Sequence, residues 1–253
     1  MLRLPTPPFR YYRVGGSECA EWLQGQLTQD IASLKPGEWK RAAALTATGQ
    51  LSADGAIWAF DDHYVLGLDR YAEGAAEALA ARIVMEDVEF EVIEKPVLSL
   101  VGGKVEGELA LPIDHVGIPG FDIISASSET NLQEIEYEVA RVEAAVPLAG
   151  VDYDSKTLAM ELGPHYIETR IAFDKGCYTG QEIVERIRSR GRTNRQWVGL
   201  RSDQPIGEME SVRITSKANS EKFGFIALAF VPVASSEPGT ILERAEVVEI
   251  PFK

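Results

Sequence analysis

The sequence predicts an α+β fold with antiparallel sheets and a small β-rich unit at its C-terminal end. Segments occur in the order strands, helix, strands, helix, which favours antiparallel sheets over a doubly wound parallel sheet. No GxGxxG or Walker motif occurs. Beyond Gln196 the runs WVGL, VRITS, FGFIALAF and EVVEI are short and β-rich, which indicates a small antiparallel sandwich or barrel. We place a domain boundary near residue 197.

The composition is that of an ordinary soluble globular protein. The 253 residues, 45% of them hydrophobic, suffice for one large domain or a few small ones packed together. No apolar run is long enough to cross a bilayer, and the N-terminal stretch lacks the features of a signal peptide. The two cysteines lie far apart, which disfavours a disulfide framework and a structural zinc site. We expect a cytoplasmic protein with no bound metal and no membrane partner.

The net charge of −14 argues against generic binding to nucleic acids, because the long-range field repels polyanions. One window departs from this charge: between Asp174 and Arg195, six cations outnumber three acidic residues. On their own, such arginines are typical of a solvated helix face. The cations are Lys175, Arg186, Arg188, Arg190, Arg192 and Arg195.

The first helix is expected in the stretch SECAEWLQGQLTQDI, with Ser17 as its N-cap residue. Apolar residues follow at helical spacing. Gly25 interrupts this pattern at a cost of roughly 1 kcal/mol relative to alanine, so we expect either early termination of the helix or the close approach of another backbone. The apolar stripe consists of Ala20, Leu23, Leu27 and Ile31.

The middle of the chain predicts further strands and a helix. Trp39–Leu68 is interpreted as strands separated by turns, and a helix is expected from about Tyr71 to Met85. Short strands are expected at Val88–Ile93, Val97–Val101 and Phe121–Ser125.

A second amphipathic helix is expected to begin near Ser128. Its apolar positions have helical spacing, and its acidic face is most simply solvated. The apolar positions are Leu132, Ile135, Val139 and Val142, and the acidic ones are Glu134, Glu136, Glu138 and Glu143.

The nine residues DKGCYTGQE, from Asp174 to Glu182, precede a helix expected at about residues 180–190. Thr179 and Glu182 have the spacing of a capping box, in which Thr179 is the N-cap residue. Gly191 is expected just after the end of the helix.

Cys177 lies immediately before this helix and two residues from Lys175. The helix N-terminus and the ammonium group would both stabilise a thiolate. Gly176 and Gly180 permit a tight loop and the approach of a ligand to the backbone. The sequence therefore offers Cys177 and Lys175 as candidate catalytic residues.

Ordinary structural interpretations remain open beside this one. A lone cysteine is more often a small buried hydrophobe than a nucleophile, and we assign that role to Cys19. Glu182 needs no role other than capping. The histidines His63, His115 and His165 are scattered, and none can be paired with Cys177.

The octapeptide KGCYTGQE, from Lys175 to Glu182, resembles the signature of the YgfZ-type folate-binding proteins. These are relatives of the glycine-cleavage T-protein, an aminomethyltransferase, and act in iron–sulfur protein maturation. Other stretches resemble the same family in the expected order: Trp22–Asp30, Leu45–Leu51, Val146–Gly150, Thr157–Glu161 and Arg190–Arg192.

The resemblance implies two interlocked α+β modules and a C-terminal β-barrel, arranged as a ring around a central hole. Residues 1–196 would form the folate-binding region, with a middle module at roughly 40–125, and residues 197–253 the barrel. The implied ligand at the centre is tetrahydrofolate or a one-carbon derivative.

The resemblance also implies roles for individual residues. Glu161 would read the edge of the pterin ring, and the arginine cluster would receive the anionic glutamate tail. Gly176, Thr179, Gly180 and Glu182 would shape the signature loop. The expected folate-binding residues are Gln24, Gln26, Glu161, Tyr178, Gln181 and Arg186.

Three functions are compatible with these observations. The first is a folate-dependent accessory factor for assembly or repair of iron–sulfur proteins, acting through Cys177, with client or assembly proteins as partners. The second is a folate-dependent aminomethyltransferase. The third is a non-enzymatic module that contacts RNA through its arginines; the negative charge and the lack of interleaved aromatic residues disfavour it.

Overall fold

The computed structural model describes residues 2–103, 110–124, 133–191 and 193–253, except the side chain of residue 190. Its named strands pair antiparallel in three sheets, as predicted. The first sheet has the strand order β3-β4-β5-β2-β6. Its strands are β2 (Phe9–Gly15), β3 (Trp39–Leu45), β4 (Leu51–Ala59), β5 (Tyr64–Asp69) and β6 (Glu89–Val92).

The strands expected within Trp39–Leu68 are confirmed as β3, β4 and β5. Their inward residues are small and apolar, so neighbouring strands and α1 (Cys19–Gln26) pack closely on the sheet. Gly55 of β4 is required by this closeness, since a Cβ there would lie 2.2 Å from the carbonyl oxygen of Gly67. Of these strands, β3 contributes residues to the candidate site.

The second sheet has the order β1-β7-β9-β8. Its strands are β1 (Leu2–Arg3), β7 (Val97–Val101), β8 (Ala110–Asp114) and β9 (Pro119–Ile124). The sequence predicts β7 and β9 but not β8, because the stretch around β8 is rich in glycine and proline. Pro112 is tolerated there because β8 lies at the edge of the sheet. Ser125, included in the predicted strand, lies outside the described residues.

The third sheet has the order β11-β12-β10-β14-β13. Its strands are β10 (Arg195–Ser202), β11 (Arg213–Ser220), β12 (Gly224–Pro232), β13 (Ile241–Leu242) and β14 (Ala245–Val248). Within the described residues β11 and β13 do not pair with each other, so the sheet stays open. The expected small C-terminal β-barrel is therefore represented by a five-stranded antiparallel sheet, in which the short β13 (Ile241–Leu242) is an edge strand.

Helix α1 begins later and ends earlier than its apolar stripe predicts. Ser17 is not its N-cap residue: Glu18 takes that position, and the Ser17 hydroxyl donates to Asp87 at 2.7 Å. Leu27 and Ile31 follow the helix in extended or turn conformation, yet both are fully buried. The stripe thus identifies buried positions correctly, although only its first part is helical.

Helices α2 (Ala75–Ala80) and α3 (Tyr137–Glu143) are both shorter than expected. Gly74 precedes α2 with a positive φ of 72°, which starts the helix there rather than near Tyr71. Residues 128–132, where the sequence places the start of α3, lie outside the described residues. Ile135 is not helical, because its amide donates to the carbonyl of Arg3 at 3.1 Å.

The remaining helices are a 3₁₀ turn at Ala159–Leu162, α4 (Gly163–Arg170), α5 (Gln181–Arg190) and a second 3₁₀ turn at Val233–Ser235. A continuous apolar core joins the first sheet to the third through the segment that carries α4. Its largest fully buried members include Trp197, Tyr153 and Phe230. The predicted boundary near residue 197 falls just inside β10, and the division into domains stays a prediction.

Candidate functional site

The loop that carries Cys177 enters α5 through a glycine rather than through a side-chain cap. Gly180 is the N-cap residue, with a φ of 86°, and a Cβ there would lie 2.6 Å from the carbonyl oxygen of Thr46. The predicted capping box is therefore wrong. Thr179 instead donates its amide to the carbonyl of Gly25 at 3.0 Å, and Glu182 pairs with Arg186 at 2.6 Å.

Gly25 accordingly has the role that its position suggested. Its carbonyl oxygen accepts from the Thr179 amide, so a second backbone does approach the end of α1. A Cβ at Gly25 would meet nothing within 4 Å, so the approach is to the carbonyl and not to the Cα. The loop is thus joined to α1 by a main-chain contact.

Lys175 fastens the same loop to α1 more strongly. Its Nζ donates to the carbonyl oxygens of Gln24, Leu27 and Gln29, each at 2.7 Å. These oxygens belong to the last turn of α1 and the chain after it, where a helix has unpaired carbonyls. Burial lowers the pKa of Lys175 to about 8, and the nearby charge of Asp30 opposes that shift. All three ammonium donors are engaged, which makes Lys175 a clamp.

Cys177 itself is exposed. Its thiol makes no hydrogen bond within the described part of the chain, and the donors of Lys175 point to carbonyls instead. Lys175 therefore holds the loop in position and does not contact the sulfur through a hydrogen bond. By contrast, Cys19 is buried, and desolvation raises its pKa. The two cysteines thus occupy opposite environments, as the sequence predicts for Cys19.

The other expected ligand residues of this region have local partners. Gln24 donates to Asp30 at 3.0 Å, and its side-chain oxygen accepts the amide of Ile31 at 2.6 Å. Gln26 accepts from Arg82 at 3.0 Å. These contacts fit the alternative to ligand binding, in which Gln24 and Gln26 form hydrogen bonds that stabilise the C-terminal end of α1.

Tyr178 is buried beneath Lys175, whose Nζ lies 5.1 Å from the ring centroid. Burial, assisted by the charge of Glu185, raises the pKa of Tyr178 to about 12. Its hydroxyl has no hydrogen-bond partner among the described residues. Gln181 is half-buried at the start of α5. The ring of Tyr178 therefore packs beneath the ammonium group of Lys175.

Glu161 contacts one member of the arginine cluster, Arg195, but not Arg186. Glu161 is buried and pairs with Arg195 at 3.0 Å, while its carboxylate also accepts the amide of Leu158 at 3.2 Å. Arg186 stands on the surface, where 63% of its side chain is exposed. Arg192 and the side chain of Arg190 lie outside the described residues. Folate binding by Glu161 and Arg186 stays a prediction.

A cavity of about 450 Å³, the central cavity, lies beside β3 of the first sheet and the end of β8 of the second. Its wall is contributed by β3, by the turn after β8, by the end of α3, by α4 and by Pro251 of the C-terminal segment. The side chains relevant to chemistry are Gln29, Trp39, Lys40, Arg41, Asp114, His115, His165 and Arg170. Among the described residues, this wall contains none of the predicted folate-binding side chains.

The cavity is rich in cations. Arg41 donates to the carbonyl oxygen of Asp114, and its guanidinium lies 5.5 Å from the ring centroid of Phe9. Burial lowers the pKa of Arg41, and the charge of Arg170 lowers it further. Arg170 pairs with Asp54 at 3.2 Å. The wall is thus suited to a ligand with an anionic group.

His165 also lines this wall and a neighbouring cavity of about 610 Å³. Burial, and then the charge of Arg170, lower the pKa of His165. The sequence indicates no role for His115 and His165, since the histidines are scattered along the chain, and only folding brings these two to one cavity. Arg41, a charged residue inside an apolar strand, is the signal that could have revealed this wall.

The loop of Cys177 and the cavity share one structural element. The carbonyl of Gln29 accepts from Lys175, and the same residue lines the cavity. Lys40, which also lines the cavity, donates to the carbonyl of Asp30, the residue after Gln29, at 2.9 Å. The segment between α1 and β3 therefore supplies a hydrogen-bond acceptor for Lys175 and also contributes Gln29 to the cavity wall.

Comparison with solved structures identifies the architecture. The chain superposes on the glycine cleavage system aminomethyltransferase T from Bartonella henselae with a TM-score of 0.77, covering 97% of this chain and 84% of that one at 18% identity. The chain has the T-protein fold. At this identity the likeness concerns the fold of the chain.

Sequence relatives are distant. An uncharacterized protein of Haemophilus influenzae is 26% identical over 230 residues, which are 87% of this chain and 81% of that protein. Two proteins named tRNA-modifying protein YgfZ are each 24% identical to this chain. The match to the one from Klebsiella pneumoniae covers 72% of this chain and 66% of that protein. The match to the one from Aliivibrio fischeri covers 85% of this chain and 76% of that protein. No family model matches the chain. Sequence and fold thus both support a likeness to YgfZ and the T-protein.

Among the described residues, no helix has the length and apolar character needed to span a membrane. No group of three or more histidine, cysteine, aspartate or glutamate side chains is arranged there to hold a metal ion.

Proposed function

We propose that the protein binds a reduced folate in the central cavity and supports the assembly or repair of iron–sulfur proteins through the thiol of Cys177. The observation that carries this proposal is the exposed thiol on a loop that Lys175 clamps to a segment of the cavity wall. The likeness to proteins named YgfZ and the T-protein fold support the choice of ligand.

The residues of the cavity fit such a ligand. Its volume of about 450 Å³ falls within the range of about 300–1,000 Å³ usual for small-molecule sites. Trp39 offers a flat apolar surface for an aromatic ring, and Lys40 and Arg170 offer charge for a carboxylate. His115 adds a buried ring nitrogen without a hydrogen-bond partner among the described residues.

The chain's own contribution is to hold a thiol in the open and to supply the side chains that contact the ligand in the cavity. A bound reduced folate would supply a one-carbon carrier beside the segment that anchors the loop. The single thiol of Cys177 cannot hold an iron–sulfur cluster alone, so further ligands would come from a partner protein. Because relatives bear the name tRNA-modifying protein, iron–sulfur enzymes that modify tRNA are the first clients to test.

The test is complementation in cells that lack the protein, with the activity of iron–sulfur enzymes as the readout. We expect Cys177→Ser and Cys177→Ala to fold normally, because the side chain is exposed, and to lose essentially all support of those enzymes. Cys19→Ala is the matched control and should retain support if it stays folded. Full complementation by both Cys177 variants would refute a role for the thiol.

A folate-dependent aminomethyltransferase is the second candidate, favoured by the T-protein fold. It would use the same cavity but would not need the thiol of Cys177. Ammonia release from an aminomethylated carrier protein, dependent on tetrahydrofolate and equal in wild type and Cys177→Ala, would select this function over the first.

A further inference from the structure

The imidazole of His115 is a part of the cavity to which the proposed function assigns no specific role. The residue is 2% exposed. It lines both the cavity of about 450 Å³ and a chamber of about 20 Å³ that shares Arg41 and Val146 with it. It therefore belongs to the wall between the two spaces.

A buried carboxylate fixes one side of this ring. Nε2 of His115 lies 3.0 Å from Oδ1 of Asp122, and both side chains are almost fully buried. The carboxylate of Asp122 also accepts from the hydroxyls of Tyr11 and Ser99. Burial, and then the charge of Asp122, raise the pKa of Tyr11 well above its usual value, so this phenol stays protonated and keeps donating. Asp122 is thus held in one orientation by two hydroxyl donors.

The charge of Asp122 decides where the ring carries its proton. The two groups are not aligned as a regular hydrogen bond, but a carboxylate at 3.0 Å favours a proton on Nε2. Nδ1 is then the unprotonated nitrogen, an acceptor. It is buried and has no partner within the described part of the chain, whereas buried polar atoms in native proteins are normally paired.

Other charged groups face the same space. Arg41 comes from β3 and donates to the carbonyl of Asp114, the residue before His115, which fixes the backbone here. Arg170 and His165 approach from α4.

We propose that His115 contacts the ligand of the central cavity, with Nδ1 accepting a hydrogen bond from an N–H or O–H group and Asp122 acting as the positioning residue. This inference rests on the proposed function, because it takes the cavity to be the folate site. It adds a requirement on the ligand: an N–H or O–H donor group that reaches Nδ1 of His115.

The first test is calorimetric titration of the protein with 5-formyltetrahydrofolate. His115→Phe keeps an aromatic ring and removes Nδ1, so we expect roughly tenfold weaker binding. His63→Phe is the matched control, since His63 stacks on Phe60 at 4.7 Å outside the cavity and should bind as the wild type does. Thermal unfolding checks that both variants are folded.

The second test is ¹⁵N NMR of histidine-labelled wild-type protein, which does not depend on a variant that folds. We expect the Nε2-protonated tautomer of His115 and a shift of its Nδ1 signal on addition of the folate, with Asp122→Asn weakening the tautomer preference. Unchanged affinity in His115→Phe, or an unmoved Nδ1 signal in the liganded protein, would overturn the role of His115 alone. Absence of folate binding by the wild type would overturn the proposed function and this role together.

Discussion

At the scale of single residues, the signature loop depends on backbone geometry more than on side-chain chemistry. Gly180 takes a φ that other residues rarely adopt and lies against the carbonyl of Thr46. Its neighbour Thr179 is bound through its main-chain amide to Gly25. The position of the Cys177 thiol therefore follows from how the chain turns before α5.

Gly180→Ala should lower the free energy of unfolding by about 1–3 kcal/mol, because an alanine is strained at this φ and its Cβ would meet a carbonyl oxygen. Urea unfolding measures the loss. Gly25→Ala is the control: it lies in α1 with open space around its Cα and should be neutral or stabilising by up to about 1 kcal/mol. Equal stability of the two variants would contradict this account of the turn.

At the scale of elements, the C-terminal end of α1 and the Cys177 loop form one unit. Lys175 replaces the missing helical hydrogen-bond donors with its own ammonium group. A half-buried cation hydrogen-bonded to three oxygens also fixes the path of the chain from α1 to β3. This unit therefore fixes the position of the exposed thiol relative to the cavity wall.

Lys175→Met should lower the free energy of unfolding by about 2 kcal/mol or more, since hydrogen bonds from a charged donor are lost and three carbonyls lose a partner. We also expect faster hydrogen exchange at the Thr179 amide. Lys156→Met, an exposed lysine elsewhere, provides the control. A variant as stable as that control, with an unchanged exchange rate at Thr179, would show that the clamp is not needed.

The elements also show what the sequence could predict. Strands β3, β4, β5 and β7 were predictable because apolar patterning and turn residues agree there. The start of α1 and the cap of α5 were not, since Ser17 and Thr179 found partners distant in the chain, Asp87 and Gly25. The cavity wall was missed for the same reason: its residues come from six separate segments that only tertiary packing brings together.

At the scale of the whole molecule, the third sheet is joined to the rest by a buried polar network as well as by the apolar core. Arg141 of α3 is fully buried and pairs with Asp152 at 2.6 Å. The same guanidinium donates to Ser216 of β11 at 2.6 Å and to the carbonyl of Val146, a cavity residue, at 2.9 Å. Docking of this sheet and shaping of the cavity thus depend on a common side chain.

Arg141→Met should cost about 3–5 kcal/mol, because it leaves the carboxylate of Asp152 buried without its charged partner. Removing both partners in Arg141→Met/Asp152→Asn should cost less than the sum of the single changes. Urea unfolding of the cycle measures the coupling, and the exposed Arg186→Met should change stability by no more than about 1 kcal/mol. Additive costs in the cycle would show that the two groups do not act together.

The grip of Lys175 on main-chain oxygens has a consequence for sequence variation. Carbonyl groups are present whatever the side chain, so substitutions at Gln24 or Gln29 leave every acceptor of the ammonium in place. The side chains of this segment can therefore vary among homologues without displacing the sulfur atom of Cys177. The lysine itself has no such freedom, since no shorter or uncharged side chain could reach three oxygens at once.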